Sequence, residues 1–153
     1  MSMNMKAQTA MEYLMTYGWA ILIVIIVGAA LYALGIFNPA TYTQSTATGF
    51  QGFQVPTGGW QFTNGGQLTV QLKNLAGSNV NITSVQATYA GQAVANSTAS
   101  NTFAPGDTYT IIVSGLSTAS SGSAYSIPVT ISYTNVDTGL TFTSSGTVTG
   151  TVS

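Results

Sequence analysis

The chain has 153 residues, a net charge of −1 and only 3% charged residues, against about a quarter in ordinary soluble domains. Cys and His are both absent, which excludes a disulfide framework, zinc or haem ligation by those side chains and thiol nucleophiles. With so little positive charge there is no footprint for nucleic acid and no polybasic patch for anionic lipid. The length suits one modest domain plus an appendage. A hydrophobic content of 45% is too high for a disordered chain. About a quarter of the residues are Ser or Thr, so neutral hydroxyls must keep the surface hydrated.

The first element is "KAQTAMEYLMTYGWAILIVIIVGAALYALGIFNP", Lys6 to Pro39, in which Tyr13 to Phe37 carry no charge. About 20 apolar residues cross a bilayer as a helix. The sequence predicts a helix from Gln8 to Phe37, ended by Asn38-Pro39 because the residue before proline is pushed out of the α region. Lys6 is the nearby cation, so the positive-inside rule favours a cytoplasmic N-terminus and an outward C-terminal domain. A cleaved secretory signal is the other reading, with Gly28 to Ala30 and Ala33 as candidate small-residue sites. Glu12 opposes it. An acid at a membrane helix centre costs roughly 2.5–3.5 kcal/mol on insertion scales, and such residues usually serve a function.

These residues resemble the N-terminus of archaeal type IV pilins that carry a class III signal peptide. The resemblance rests on "KAQTAMEYL", the apolar run and the closing Asn-Pro, and covers roughly the first forty residues. It implies a leader over residues 1–7, recognised through Lys6, Ala7 and Gln8 and cut by a prepilin peptidase between Ala7 and Gln8. The family often has Ser two residues after the Gln, where this chain has Ala10. The helix over 8–38 would stay on the mature protein, first in the cytoplasmic membrane and then in the core of a surface filament. Glu12 would become the fifth mature residue and pair with the new Gln8 amine of a neighbouring subunit, beside Tyr13. The alternative is that Glu12 serves only its own helix start, where the macrodipole favours an anion.

Small residues at Gly18, Gly28, Ala29, Ala33 and Gly35 would let helix backbones approach closely. Tyr13, Tyr17, Trp19 and Tyr32 would be interfacial anchors before assembly. The implied partners are identical subunits, the peptidase, a pilus assembly ATPase and a membrane platform protein, with no nucleic acid and no cofactor. An adhesion-type major pilin is favoured over an archaellum subunit, which usually lacks the early glutamate and is cut after Gly. A minor pilin or a membrane-anchored surface-binding protein stays open.

After a predicted hinge over 39–49 the periodicity changes from helical to alternating. Strands are expected at "FQV", "WQF", "QLTVQLK", "VNITSVQATY", "TYTIIVSG", "AYSIPVTISYT" and "LTFTSSGTVTGTV". The slip between Ile82 and Val85 suggests a bulge, and Pro128 suggests an edge strand or a bulge. Turn signals lie at Asn64–Gly66, Ala104–Asp107 and Asn135–Gly139. The predicted fold class is therefore α+β: a long N-terminal hydrophobic helix, then an antiparallel immunoglobulin-like β-sandwich over 50–153. Asp107 and Asp137 are expected to bond turn backbone. Asn81 and Asn96 open N-glycosylation sequons. No His stands by to activate a hydroxyl, and no phosphate or dinucleotide motif occurs, so no enzymatic activity is expected.

Overall fold

The computed structural model describes residues 4–38, 43–96 and 102–153. It divides into two compact units, Met1–Thr41 and Tyr42–Ser153. Among its described residues the first holds a single helix, α1, Asn4–Ala33. Among its described residues the second holds ten strands: β1 (Thr46–Gly49), β2 (Phe53–Gln54), β3 (Trp60–Phe62), β4 (Gln67–Asn74), β5 (Val80–Tyr89), β6 (Gln92–Asn96), β7 (Thr102–Phe103), β8 (Thr108–Ser114), β9 (Ala124–Asn135) and β10 (Thr141–Thr151). One long hydrophobic helix followed by an antiparallel sandwich is the expected α+β architecture.

The larger sheet has the order β1-β10-β9-β5-β6, with β7 also pairing β5. In the smaller sheet β4 is central, with β2 and β3 along one edge and β8 on the other. Alternation decides the core. Leu68, Val70 and Leu72 of β4 are buried, as are Ile111 and Val113 of β8. They face Val80, Ile82, Val85, Ile127, Val129, Ile131 and Val148 from the larger sheet. Phe62 makes edge-to-face aromatic contacts with Tyr89 and Tyr125 at centroid distances of 4.9 and 5.3 Å. Phe53 does the same with Tyr133 at 4.9 Å.

The predicted bulge is present, as a register shift between Ile82 and Ser84 in the β5–β9 ladder. The edge expectation for Pro128 holds locally: β9 as a whole lies between β10 and β5, but Pro128 itself pairs only with Thr147 of β10. Proline is tolerated there because the β5 ladder stops at Ala87↔Val129 and does not reach it. The hinge also shrinks. Thr46–Gly49 is a strand on β10, while positions 39–42 lie outside the described residues. Gly146 accepts the Phe50 ring in the space where a Cβ would lie 2.5 Å from it, so Phe50 seats the chain on the sandwich directly after β1.

The two faces of β10 differ sharply. Inward stand Ser144, Gly146, Val148 and Gly150; outward stand Thr141, Thr143, Ser145, Thr147, Thr149 and Thr151. Beside them on β9 are Ser126, Thr130, Ser132 and Thr134. At one end of the sandwich Asn74, fully buried, is satisfied on all sides. Its Nδ2 donates to the Ser78 and Phe103 carbonyls and its Oδ1 accepts from the Ala76 N–H.

Candidate functional site: the N-terminal apolar helix

α1 has 30 residues and so spans about 45 Å at 1.5 Å per residue. The segment Met5–Ala33 is long and apolar enough to cross a membrane. Its apolar residues lie all round rather than on one stripe, and none is buried. Ile21, Val24 and Ile25 are each at least 60% exposed. A helix apolar on every side suits lipid or the interior of a larger assembly, not water.

Both helix ends differ from the sequence expectation. The helix starts at Asn4, so Lys6, Ala7 and Gln8 all lie within its first turns, and the predicted cut bond is inside the helix. It ends at Ala33 rather than Phe37. The cause is Gly35, whose φ of 69° is left-handed. The Gly35 N–H donates to the Tyr32 carbonyl at 3.0 Å and the Ile36 N–H to the Leu31 carbonyl at 3.2 Å. That is a Schellman cap, which ends the helix before Asn38-Pro39 is reached. Gly35 therefore sits beyond the helix, in its cap.

Gln8 and Glu12 are one turn apart and roughly 40° apart around the helix axis, on the same side. Lys6 stands roughly 240° before Glu12 around the axis, away from it, and among the described residues Glu12 has no ion-pair partner. The two threonines flanking this region hide their hydroxyls: Thr9 Oγ1 donates to the Met5 carbonyl and Thr16 Oγ1 to the Glu12 carbonyl, each at 2.9 Å. This back-bonding was not foreseen, although a Thr four residues after Glu12 in an apolar helix is its signal. The Tyr13 and Tyr17 rings meet in a tilted contact at 4.4 Å between centroids.

Of the small residues, Gly18, Ala29 and Ala33 fall within roughly 60° of one another around the axis, while Gly28 lies off that strip. A Cβ added at Gly18 or Gly28 would meet nothing within 4 Å. Neither glycine is needed for packing inside this chain.

The β-domain's candidate residues are distributed differently. Asn96 Nδ2, the nitrogen a glycan would occupy, donates to the Ile112 carbonyl at 2.9 Å; the rest of that sequon lies outside the described residues. Asn81 is half-buried in β5 between paired strands, and its sequon partner Thr83 donates to the Ser132 carbonyl at 3.0 Å. Asp107 bonds turn backbone as expected, its Oδ2 accepting from the Ala104 N–H at 3.0 Å. At the other turn the role belongs to Asn135, whose Oδ1 accepts from the Asp137 and Thr138 N–H groups at 2.9 and 3.2 Å. An Asx turn is built by the residue that opens it, and Asp137 comes two positions too late. Burial pushes the Tyr125 hydroxyl above the usual phenol range, partly offset by the Trp60 indole beside it. No group of three or more metal-ligating side chains occurs among the described residues.

No protein-family model matches this sequence, and no curated protein matches it. The chain is thus described by its architecture: one apolar N-terminal helix, of the kind that serves as a membrane anchor or signal, followed by a β-sandwich.

Proposed function

We propose that this protein is a non-catalytic structural subunit, a major pilin of an archaeal type IV adhesion filament. The observation that carries the reading is a helix exposed and apolar on every side, with one carboxylate a single turn after the predicted cut site. In this reading a prepilin peptidase removes residues 1–7, and the helix rests in the cytoplasmic membrane. An assembly ATPase and membrane platform protein then move it into the filament core, while the sandwich faces outward at the cell surface. Transfer from lipid to a helix bundle gives no large hydrophobic gain, since lipid tails are equally apolar. Association must come from close packing and polar contacts. Gly18 and Gly28, which have no intramolecular reason to be glycine, supply the close packing. Glu12 supplies the polar contact with the Gln8 amine of a neighbour, which sets the axial register of each subunit.

Mass spectrometry of the protein recovered from the cell surface tests this directly. The expected mature chain begins at Gln8, dominates the filament preparation and keeps the helix; a chain beginning beyond Phe37 refutes the reading. Glu12→Ala is expected to insert into the membrane and to be cut normally, yet to yield few or no filaments. Normal filaments from that variant would leave Glu12 with no role beyond its own helix.

A further inference from the structure

The outward hydroxyls of β10 and β9 form a lattice. Alternate residues of a strand repeat at about 6.6–6.8 Å and neighbouring strands lie about 4.8 Å apart, so Thr143 and Ser145 with their partners Ser132 and Thr130 occupy a regular net. Cross-strand hydroxyl pairs hold it in place: Thr134 with Thr141 at 3.2 Å, Thr130 with Ser145 at 3.3 Å and Thr46 with Thr149 at 2.9 Å. The Thr134–Thr141 and Thr130–Ser145 pairs each use one O–H and leave another O–H and several lone pairs for an outside partner, whereas the Thr149 hydroxyl is also engaged by the backbone of Gln44 and Thr46. None of the chain's five charged residues lies in any strand of this sheet. The outer face of the smaller sheet is different, since it carries Lys73 and an exposed Ile112.

We propose that this hydroxyl face of the larger sheet is an interaction surface, and that its partner is the same face of a second copy of this chain. Three features select that occupant. Every hydroxyl both donates and accepts, so the face is complementary to itself. It bears no charge, so two copies approach without repulsion. A second copy also presents the same spacing, and small Thr and Ser side chains interdigitate in an aligned sheet-on-sheet contact. The cross-strand bonds fix the rotamers beforehand and lower the ordering cost. A single contact of this kind is weak in water, because each hydrogen bond replaces one to solvent. It becomes effective where many copies are held side by side, through multivalency. The inference draws on the filament reading only for that crowding, and a densely loaded membrane supplies it equally well.

The chain has no cysteine, so one introduced thiol reports a contact between copies. Full-length Thr143→Cys and Gln71→Cys chains, both substituted at exposed outward positions on opposite sheets, are reconstituted at high density in neutral lipid vesicles and mildly oxidised. Thr143→Cys is expected to form disulfide dimers about tenfold faster than Gln71→Cys, at a rate insensitive to salt. Adding Thr130→Lys and Thr147→Lys is expected to remove that advantage through like-charge repulsion, with the sandwich still melting cooperatively. Equal rates on the two sheets, or no effect of the lysines, overturns the proposal. So does mass spectrometry that finds sugars on the β10 hydroxyls, because a covered face cannot meet its twin. A mature N-terminus other than Gln8 would defeat the filament reading and leave this vesicle result standing.

Discussion

Ile25 of α1 is 64% exposed and Ile127 of β9 is fully buried. The two side chains are chemically identical, and the contrast holds for the regions around them. The sandwich buries its apolar residues within one chain, by placing two alternating sheets face to face. The helix has no polar face to turn outward, and it leaves burial to lipid or to other chains. Stability of the sandwich is therefore a property of the monomer, whereas fitness of the helix is a property of its surroundings.

Truncation at matched positions breaks this comparison most severely. Phe62→Ala empties the centre of the core and is expected to cost about 3–5 kcal/mol, seen as a large fall in the sandwich's melting midpoint. Ile25→Ala is expected to leave that midpoint unchanged within error, and to show only in membrane insertion or filament yield. A comparable fall for Ile25→Ala would mean that the helix is part of the folded domain's core.

Glycines sharpen the contrast. At Gly146 an added Cβ would lie 2.5 Å from the Phe50 ring and 2.6 Å from the Thr48 carbonyl oxygen, which is backbone and cannot swing away. Gly146→Ala is expected to destabilise the sandwich by about 1–3 kcal/mol, read by denaturant titration. Gly18→Ala meets nothing inside the chain and favours the helix by up to about 1 kcal/mol. Its predicted penalty appears only on assembly, as fewer or more fragile filaments. Intact filaments from Gly18→Ala would remove the close-packing role.

The smallest effect concerns pH. Tyr125 is buried, and its hydroxyl titrates above the ordinary value of 10.0. The folded state thus holds its proton after the unfolded chain has lost it. The contribution of Tyr125 is fully present below the unfolded pKa and is lost as pH rises from there through the folded pKa. Tyr125→Phe is expected to flatten the alkaline loss of stability measured by denaturant midpoint above pH 10. An unchanged alkaline profile would place the titration elsewhere.

Much of the sandwich was legible because its long strands alternate strictly. Leu68, Val70 and Leu72 announce their face, and the slip between Ile82 and Val85 announces the bulge. The strands that escaped notice, β1, β6 and β7, are short or have few apolar residues. β6 is joined to β5 through Ala90 and Gly91, both at positive φ (49° and 78°). That is hairpin-turn geometry without the usual Asn-Gly signal. The helix end was misplaced because Asn38-Pro39 is the louder signal, while Gly35 reaches the left-handed region first. Of the candidate site, the apolar run and Glu12 were readable directly. The hidden threonine hydroxyls of the helix were not, since their bonds depend on rotamers.

By itself the sequence determined the local choices: where apolar residues recur at every second position, where about twenty-five residues run without charge, and which residue types can turn the chain. These follow from side-chain chemistry and backbone periodicity, which act over a few residues. Only the tertiary structure decided which strands are neighbours, that the β5 ladder stops just short of Pro128, that the Asn96 amide is engaged by β8, and that ten outward hydroxyls of β9 and β10 meet in one uncharged net. Those outcomes depend on pairings between residues far apart in the chain, and local preference carries no information about them.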